Sequence, residues 1–133
     1  MIARGPFDVT LTPQSSTGDN PEPTLGRMIL EKTFHGDLEA TSIGEMLTAG
    51  TSTKGSAVYV AVERVTGALE GRRGTFSLFH TGVMTRGAPD LSIRVVPDSG
   101  DGELAGISGT LAIQIEGGKH SYEFTYDLPG SEG

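Results

Sequence analysis

Glycine and proline break this chain into short segments, and no segment has the length and pattern of a helix. The sequence contains 20 glycines and 7 prolines among its 133 residues. No stretch combines the apolar period of a helix with a capping residue at its start and a stop signal at its end. Between the breaks, apolar and polar side chains alternate, which is the period of a β-strand. The sequence therefore predicts an all-β protein with essentially no helix.

Strand-like runs follow one another along the chain. In the first of them, Phe7, Val9 and Leu11 share one face. Glycine, proline, aspartate and serine separate each run from the next, as expected for turns. The eight predicted strands are Phe7–Thr12, Leu25–His35, Leu38–Leu47, Ser56–Leu69, Thr75–Met84, Leu91–Val96, Ile107–Glu116 and Lys119–Leu128.

Most connections between these runs are short, which indicates antiparallel neighbours in chain order. Gly36-Asp37 and Gly117-Gly118 favour two-residue hairpin turns. Closing such a meander removes its exposed edges. We therefore predict one domain over residues 1–133, folded as an eight-stranded antiparallel closed β-barrel, with a two-sheet sandwich as the alternative. Residues 13–24 are predicted to form a mobile loop and residues 129–133 a frayed tail.

The charge balance is acidic and disfavours two classes of partner. Ten Lys and Arg stand against 17 Asp and Glu, for a formal net charge of −7. A nucleic-acid-binding protein needs a basic face that replaces the counterions of the phosphates. No run approaches the roughly 20 apolar residues of a membrane span. We expect neither nucleic acid nor a membrane to be a partner.

Cysteine is absent from the sequence. Disulfides, thiolate catalysis and thiolate metal sites are therefore excluded. The first residues lead into a strand-like run and not into the apolar core of a signal peptide. These features predict a cytoplasmic protein.

Seven short motifs lie in order at residues 34–39, 44–47, 63–67, 79–82, 95–100, 102–109 and 118–122. Together they resemble a bacterial family of unknown function over nearly the whole chain. That family is similar in fold to the allene oxide cyclase barrel, so the resemblance implies an eight-stranded barrel that often self-associates. It brings no catalytic residues with it, and a fold alone does not fix a function.

The alternation of side chains predicts which polar groups point into the barrel. On the apolar faces of their strands lie Lys32, Tyr59, Glu63, His80 and Tyr122. These five residues are the predicted ligand-binding set. The alternative is that they are core polar residues that satisfy one another, or that one strand is shifted by a residue, which would turn its side chains outward.

Within this set, Glu63 and His80 are the candidate catalytic residues. A carboxylate in an apolar barrel needs a partner or stays protonated. Glu63 beside His80 or Lys32 would form an acid–base pair. The hydroxyls of Tyr59 and Tyr122 would then shape the cavity around a ligand.

No metal or cofactor is predicted. His35, His80 and His120 lack the paired spacing of metal ligands. The glycine-rich segment 97–109 lacks the alternating carboxylates of a calcium loop, and it precedes a strand where a dinucleotide loop would precede a helix. Its glycines are interpreted as turn and bulge residues.

The leading hypothesis is a self-associating protein that binds a small apolar molecule inside its barrel. Two alternatives remain open. One is a structural or interaction homo-oligomer with a solidly packed barrel and its functional surface outside on the fourth strand. The other is a cofactor-free isomerase or cyclase. A hollow or a filled interior distinguishes the ligand-binding hypotheses from the structural one.

Overall fold

The computed structural model describes residues 1–14 and 25–129. These residues form an all-β structure without a helix, as predicted. The observed strands are β1 (Ile2–Gln14), β2 (Leu25–Phe34), β3 (Leu38–Gly50), β4 (Ala57–Leu69), β5 (Arg72–Thr85), β6 (Ala88–Val95), β7 (Asp101–Gly102), β8 (Ser108–Glu116) and β9 (Lys119–Asp127).

The eight long strands close into one antiparallel barrel. Their order around the sheet is β4-β3-β2-β1-β9-β8-β6-β5, and a ladder between β4 and β5 closes the ring. This ladder runs from Ala57 opposite Met84 to Leu69 opposite Arg72. The two-residue strand β7 pairs with β5 at one end of the barrel. The predicted eight-stranded closed barrel is confirmed, and each predicted strand overlaps one of the long strands.

One junction of the ring is much weaker than the others. Strands β6 and β8 share a single ladder pair, Arg94 opposite Thr110. They are also the pair joined by the longest connection among the described residues, which contains β7. The barrel therefore has a seam between β6 and β8.

The two predicted hairpin turns have different outcomes. Glu116 lies opposite Lys119, and the turn residues Gly117 and Gly118 have φ of 57° and 79°. Two consecutive positive φ values are those of a type I′ turn, which favours glycine. The prediction at Gly117-Gly118 is confirmed.

The two-residue turn predicted at Gly36-Asp37 is wrong. Phe34 pairs with Ala40, so residues 35–39 lie between the paired positions. The backbone of this longer connection hydrogen-bonds to β1 instead, with the N–H of Asp37 donating to the carbonyl of Arg4 at 3.1 Å. Because these bonds to β1 hold the connection, the local preference of Gly36-Asp37 for a two-residue turn does not determine its length.

The ends of the first strand also differ from the prediction. β1 begins at Ile2, five residues before the predicted start, because the residues before Phe7 pair with β9 although Gly5 and Pro6 interrupt the alternation. At its other end, Pro13 and Gln14 belong to β1 and not to the predicted loop. The rest of that loop, residues 15–24, and residues 130–133 of the predicted tail lie outside the described residues.

The barrel interior divides into two halves along its axis. The packed half lies at the end where β2 turns into β3 and β4 into β5. Leu104 from the β6–β8 connection is buried against it. The open half lies at the end where β1 ends and β2 begins. Buried side chains of the packed half include Phe34, Leu38, Val65, Leu69, Phe76, Leu104, Phe124 and Tyr126. The open half is lined by Val9, Leu11, Leu30, Met46, Tyr59, Leu91, Ile113 and Ile115.

Candidate functional site

Four polar side chains lie side by side on neighbouring strands between the two halves. We call Lys32, Ser42, Glu63 and His80, from β2, β3, β4 and β5, the polar layer. Their exposed fractions are 6%, 6%, 2% and 3%. On β4 the layer lies between Tyr59 of the open half and Val65 of the packed half, so it separates the two.

Glu63 is the centre of the polar layer because its carboxylate accepts from the other three side chains. Lys32 Nζ lies 2.9 Å from Oε2, and Ser42 Oγ donates to Oε1 at 2.8 Å. His80 Nε2 lies 2.5 Å from Oε2. No side-chain nitrogen or oxygen that is buried within the described residues lacks a hydrogen-bond partner. The layer is therefore a closed network around one carboxylate.

The network keeps Glu63 ionised despite its burial. Burial alone raises the pKa of a carboxyl, because it disfavours the charged form. The hydrogen bond from His80 and the positive charge of Lys32 outweigh this and lower the pKa of Glu63 from 4.5 to about 2. Lys32 supplies the balancing charge, and its ammonium also lies 5.4 Å from the ring centroid of Phe7.

Two glycines facing inward make room for these side chains. Gly44 lies opposite Glu63, and a Cβ there would collide with the carbonyl of Val62 and with Glu63 itself. Gly82 lies opposite Tyr59, and a Cβ there would collide with the tyrosine ring. Glycine inside a strand often marks such a close approach. It allows the ring of Tyr59 to lie against the backbone of β5.

Above the polar layer the open half contains a cavity of about 200 Å³ that is partly open to solvent. All eight long strands contribute to its lining, and Lys32, Tyr59 and His80 supply polar atoms at its floor and wall. The ring of Tyr59 meets that of His80 edge-on, with centroids 6.3 Å apart. Burial and the nearby charge of Glu63 raise the pKa of the Tyr59 hydroxyl.

The structure brings together four of the five predicted ligand-binding residues. Lys32, Glu63 and His80 form one network, and Tyr59 stands next to it. Tyr122 is buried elsewhere. Its hydroxyl donates to the carbonyl of His35 at 2.7 Å and accepts from the N–H of Leu38 at 2.8 Å, so it holds the β2–β3 connection.

Residues 3–126 match the sequence pattern of a family described as "Protein of unknown function (DUF3224)". The chain belongs to the DUF3224 family. It is also similar to a DUF3224 protein of unknown function from Shewanella oneidensis MR-1 whose crystal structure is known: 51% identity, 98% of each chain covered, TM-score 0.92. No curated protein is similar enough to count as a match. The predicted resemblance to a bacterial family of unknown function is confirmed.

In this DUF3224 barrel, Ser42 is the member of the polar layer missing from the predicted set. The alternation of β3 places it on the same face as the buried Leu38 and Ala40. A small hydroxyl among apolar residues carries no signal of its own. Its role depends on Glu63 in the next strand, which the sequence of β3 does not show.

Other classes of site receive no support in residues 1–14 and 25–129. No three His, Cys, Asp or Glu side chains in these ranges come close enough together to hold a metal ion. The same part of the chain contains no helix that is long and apolar enough to cross a membrane. What the described DUF3224 site offers chemically is an apolar hollow with one histidine at its floor and an ionised carboxylate behind that histidine.

Proposed function

We propose that this chain binds a small, largely apolar molecule in the open half of its barrel. The cavity of about 200 Å³ supports the proposal. An engineered cavity of about 150 Å³ lined by aliphatic and aromatic side chains binds benzene. The space above His80 is therefore large enough for a molecule with one ring.

The lining is of the kind that ligand sites use. Such sites have mostly apolar walls and a few polar groups that set orientation. Here the walls carry aliphatic side chains such as Val9, Leu30 and Ile113, and three of the four polar side chains of the lining, Lys32, Tyr59 and His80, lie together. A molecule with an apolar body and one polar end matches this arrangement.

Calorimetric titration with toluene tests the proposal. Wild-type protein is expected to bind toluene saturably at one site per chain. Val9→Phe places a ring in the cavity and should abolish that binding. Thr10→Phe is the matched control, because Thr10 is the next residue of β1 and is exposed on the outer face. Equal binding to both variants, or none to wild type, would contradict the proposal.

We further propose that the chain self-associates through the outer face of β3, β4 and β5. Large apolar side chains are exposed there in adjacent positions: Leu47 lies opposite Val60, Val62 opposite Phe79, and Val58 opposite Val83. Contiguous apolar patches on a surface mark sites of interaction. The exposed members are Ile43, Leu47, Val58, Val60, Val62 and Val83.

The charge of this face does not oppose a second copy of the chain as the occupant. The chain carries a net charge of −7, so most contacts between copies bring like charges together. On this face Glu45 is already paired with Arg27 at 2.7 Å. Two copies can therefore meet here without that repulsion. Val62 is 59% exposed at the centre of the patch.

Sedimentation velocity tests the self-association. Wild type is expected to sediment as a dimer at micromolar concentrations, and Val62→Glu as a monomer. Thr10→Glu adds the same charge on β1, away from this face, and should leave the dimer intact. A wild-type protein that stays monomeric at high concentration would refute this second proposal.

A further inference from the structure

His80 lines the cavity, and Nδ1 is the nitrogen of its ring that does not contact Glu63. No hydrogen bond of this atom exists within the described residues, where His80 bonds through Nε2. No buried side-chain nitrogen in that part of the chain is without a partner, so Nδ1 is not sealed off. The hollow that His80 lines is the space inside the barrel next to this ring.

The proton on the imidazole is placed by Glu63. Because the carboxylate of Glu63 is ionised, it can only accept, so the hydrogen of the 2.5 Å contact belongs to Nε2 of His80. A neutral imidazole that carries its hydrogen on Nε2 has its lone pair on Nδ1. Glu63 is thus a positioning residue: in the neutral imidazole it leaves Nδ1 as the hydrogen-bond acceptor.

We propose that the ligand of this cavity is a single-ring apolar molecule bearing one weakly acidic hydroxyl, such as a phenol, whose O–H donates to Nδ1 of His80. This inference rests on the proposed ligand binding and adds the chemical class. Glu63 and Lys32 already balance each other's charge, so the floor suits a neutral donor.

No other acceptor of the lining is oriented by a side-chain hydrogen bond within the described residues. Lys32 carries an ammonium, which only donates. His120, at the start of β9, lies with its ring 5.3 Å from that of Phe7. Tyr59 meets His80 with the edge of its ring. The acceptor that Glu63 orients is therefore the one that fixes the ligand's polar end.

The test compares p-cresol with p-xylene, which have nearly the same shape and differ by one hydroxyl. Wild type is expected to bind p-cresol about tenfold more tightly, a difference of about 1.4 kcal/mol. His80→Phe should still bind p-xylene but should reverse the order, because a hydroxyl buried without an acceptor is costly. Calorimetric titration measures both affinities.

Nitrogen-15 NMR of the wild-type histidine rings gives a second readout that needs no variant. The free protein is expected to show His80 protonated on Nε2, and p-cresol should shift the signal of Nδ1 while p-xylene does not. Equal affinities for the two probes with no shift at Nδ1 would overturn this inference and leave the apolar site intact. If neither probe binds, the proposed function fails as well.

Discussion

The two halves of the barrel are built on the same eight strands, yet one is filled and the other is hollow. In the packed half, the rings of Phe76 and Phe124 stack at 5.6 Å, and those of Phe124 and Tyr126 at 5.3 Å. The open half presents mainly aliphatic side chains and keeps a cavity of about 200 Å³. An eight-stranded barrel is just wide enough for its own side chains or for one small ligand. The size of the inward side chains therefore decides whether a given half is filled or has room for a small ligand.

The seam adds a second difference between the halves. At the packed end the β6–β8 connection folds back, and its Leu104 and Ile107 are buried. Toward the open end, β6 and β8 separate beyond Arg94 and Thr110, and a hollow of about 330 Å³ lies between them. In the open half, fewer backbone hydrogen bonds therefore close the barrel wall, and the side chains fill less of the interior.

The largest expected effect comes from removing a ring in the packed half. Phe124→Ala should lower the free energy of unfolding by about 3–5 kcal/mol, because it leaves a void in a close-packed core. Leu11→Ala in the open half should cost less than about 1 kcal/mol, since this side chain is 44% exposed. Urea unfolding measures both. Similar losses would show that the halves are packed alike.

The polar layer between the halves should contribute nearly as much to the free energy of unfolding as the ring of Phe124. A pKa lowered from 4.5 to about 2 corresponds to about 3 kcal/mol of stability. Because the folded-state pKa is the lower one, this contribution is present above pH 4.5 and is lost as the pH falls toward 2. Glu63→Gln should therefore destabilise the protein by about 3 kcal/mol at neutral pH. Its deficit should fall to less than half of that near pH 3.

Glu45→Gln is the control for this experiment. It removes an exposed ion pair with Arg27, which should cost less than about 1 kcal/mol. Urea unfolding of wild type and both variants across this pH range gives the comparison. A deficit of Glu63→Gln that stays constant with pH would contradict the assigned ionisation of Glu63.

A smaller difference in stability is expected between variants of Tyr122 and Tyr59, which the sequence analysis placed in the same ligand-binding set. Tyr122→Phe should cost about 1–2 kcal/mol, because it removes the acceptor of the buried N–H of Leu38. Tyr59→Phe should cost less than about 0.5 kcal/mol, since no hydrogen bond of the Tyr59 hydroxyl exists in the described part of the chain. Thermal unfolding resolves the difference, and equal losses would mean that Tyr59 has a structural role too.

The strands and their inward faces could be predicted because alternation and glycine are local signals. Lys32, Glu63 and His80 lie inside, where the alternation placed them. The separation of Tyr122 from this group could not be predicted, because it depends on the height of each residue along the barrel. That height follows from the register between strands. The prediction of a two-residue turn at Gly36-Asp37 was wrong for a related reason. The connection at residues 35–39 hydrogen-bonds to β1, and a local sequence pattern does not indicate contacts with a distant strand.

The central claim is that one half of the barrel interior is a ligand cavity and the other is a filled core. Methyl NMR during a toluene titration tests it most directly. We predict saturable shifts at Val9, Leu30 and Ile113, which line the cavity, and none at Val65 and Leu69. No saturable shift at the first group, or equal shifts in both, would contradict the account.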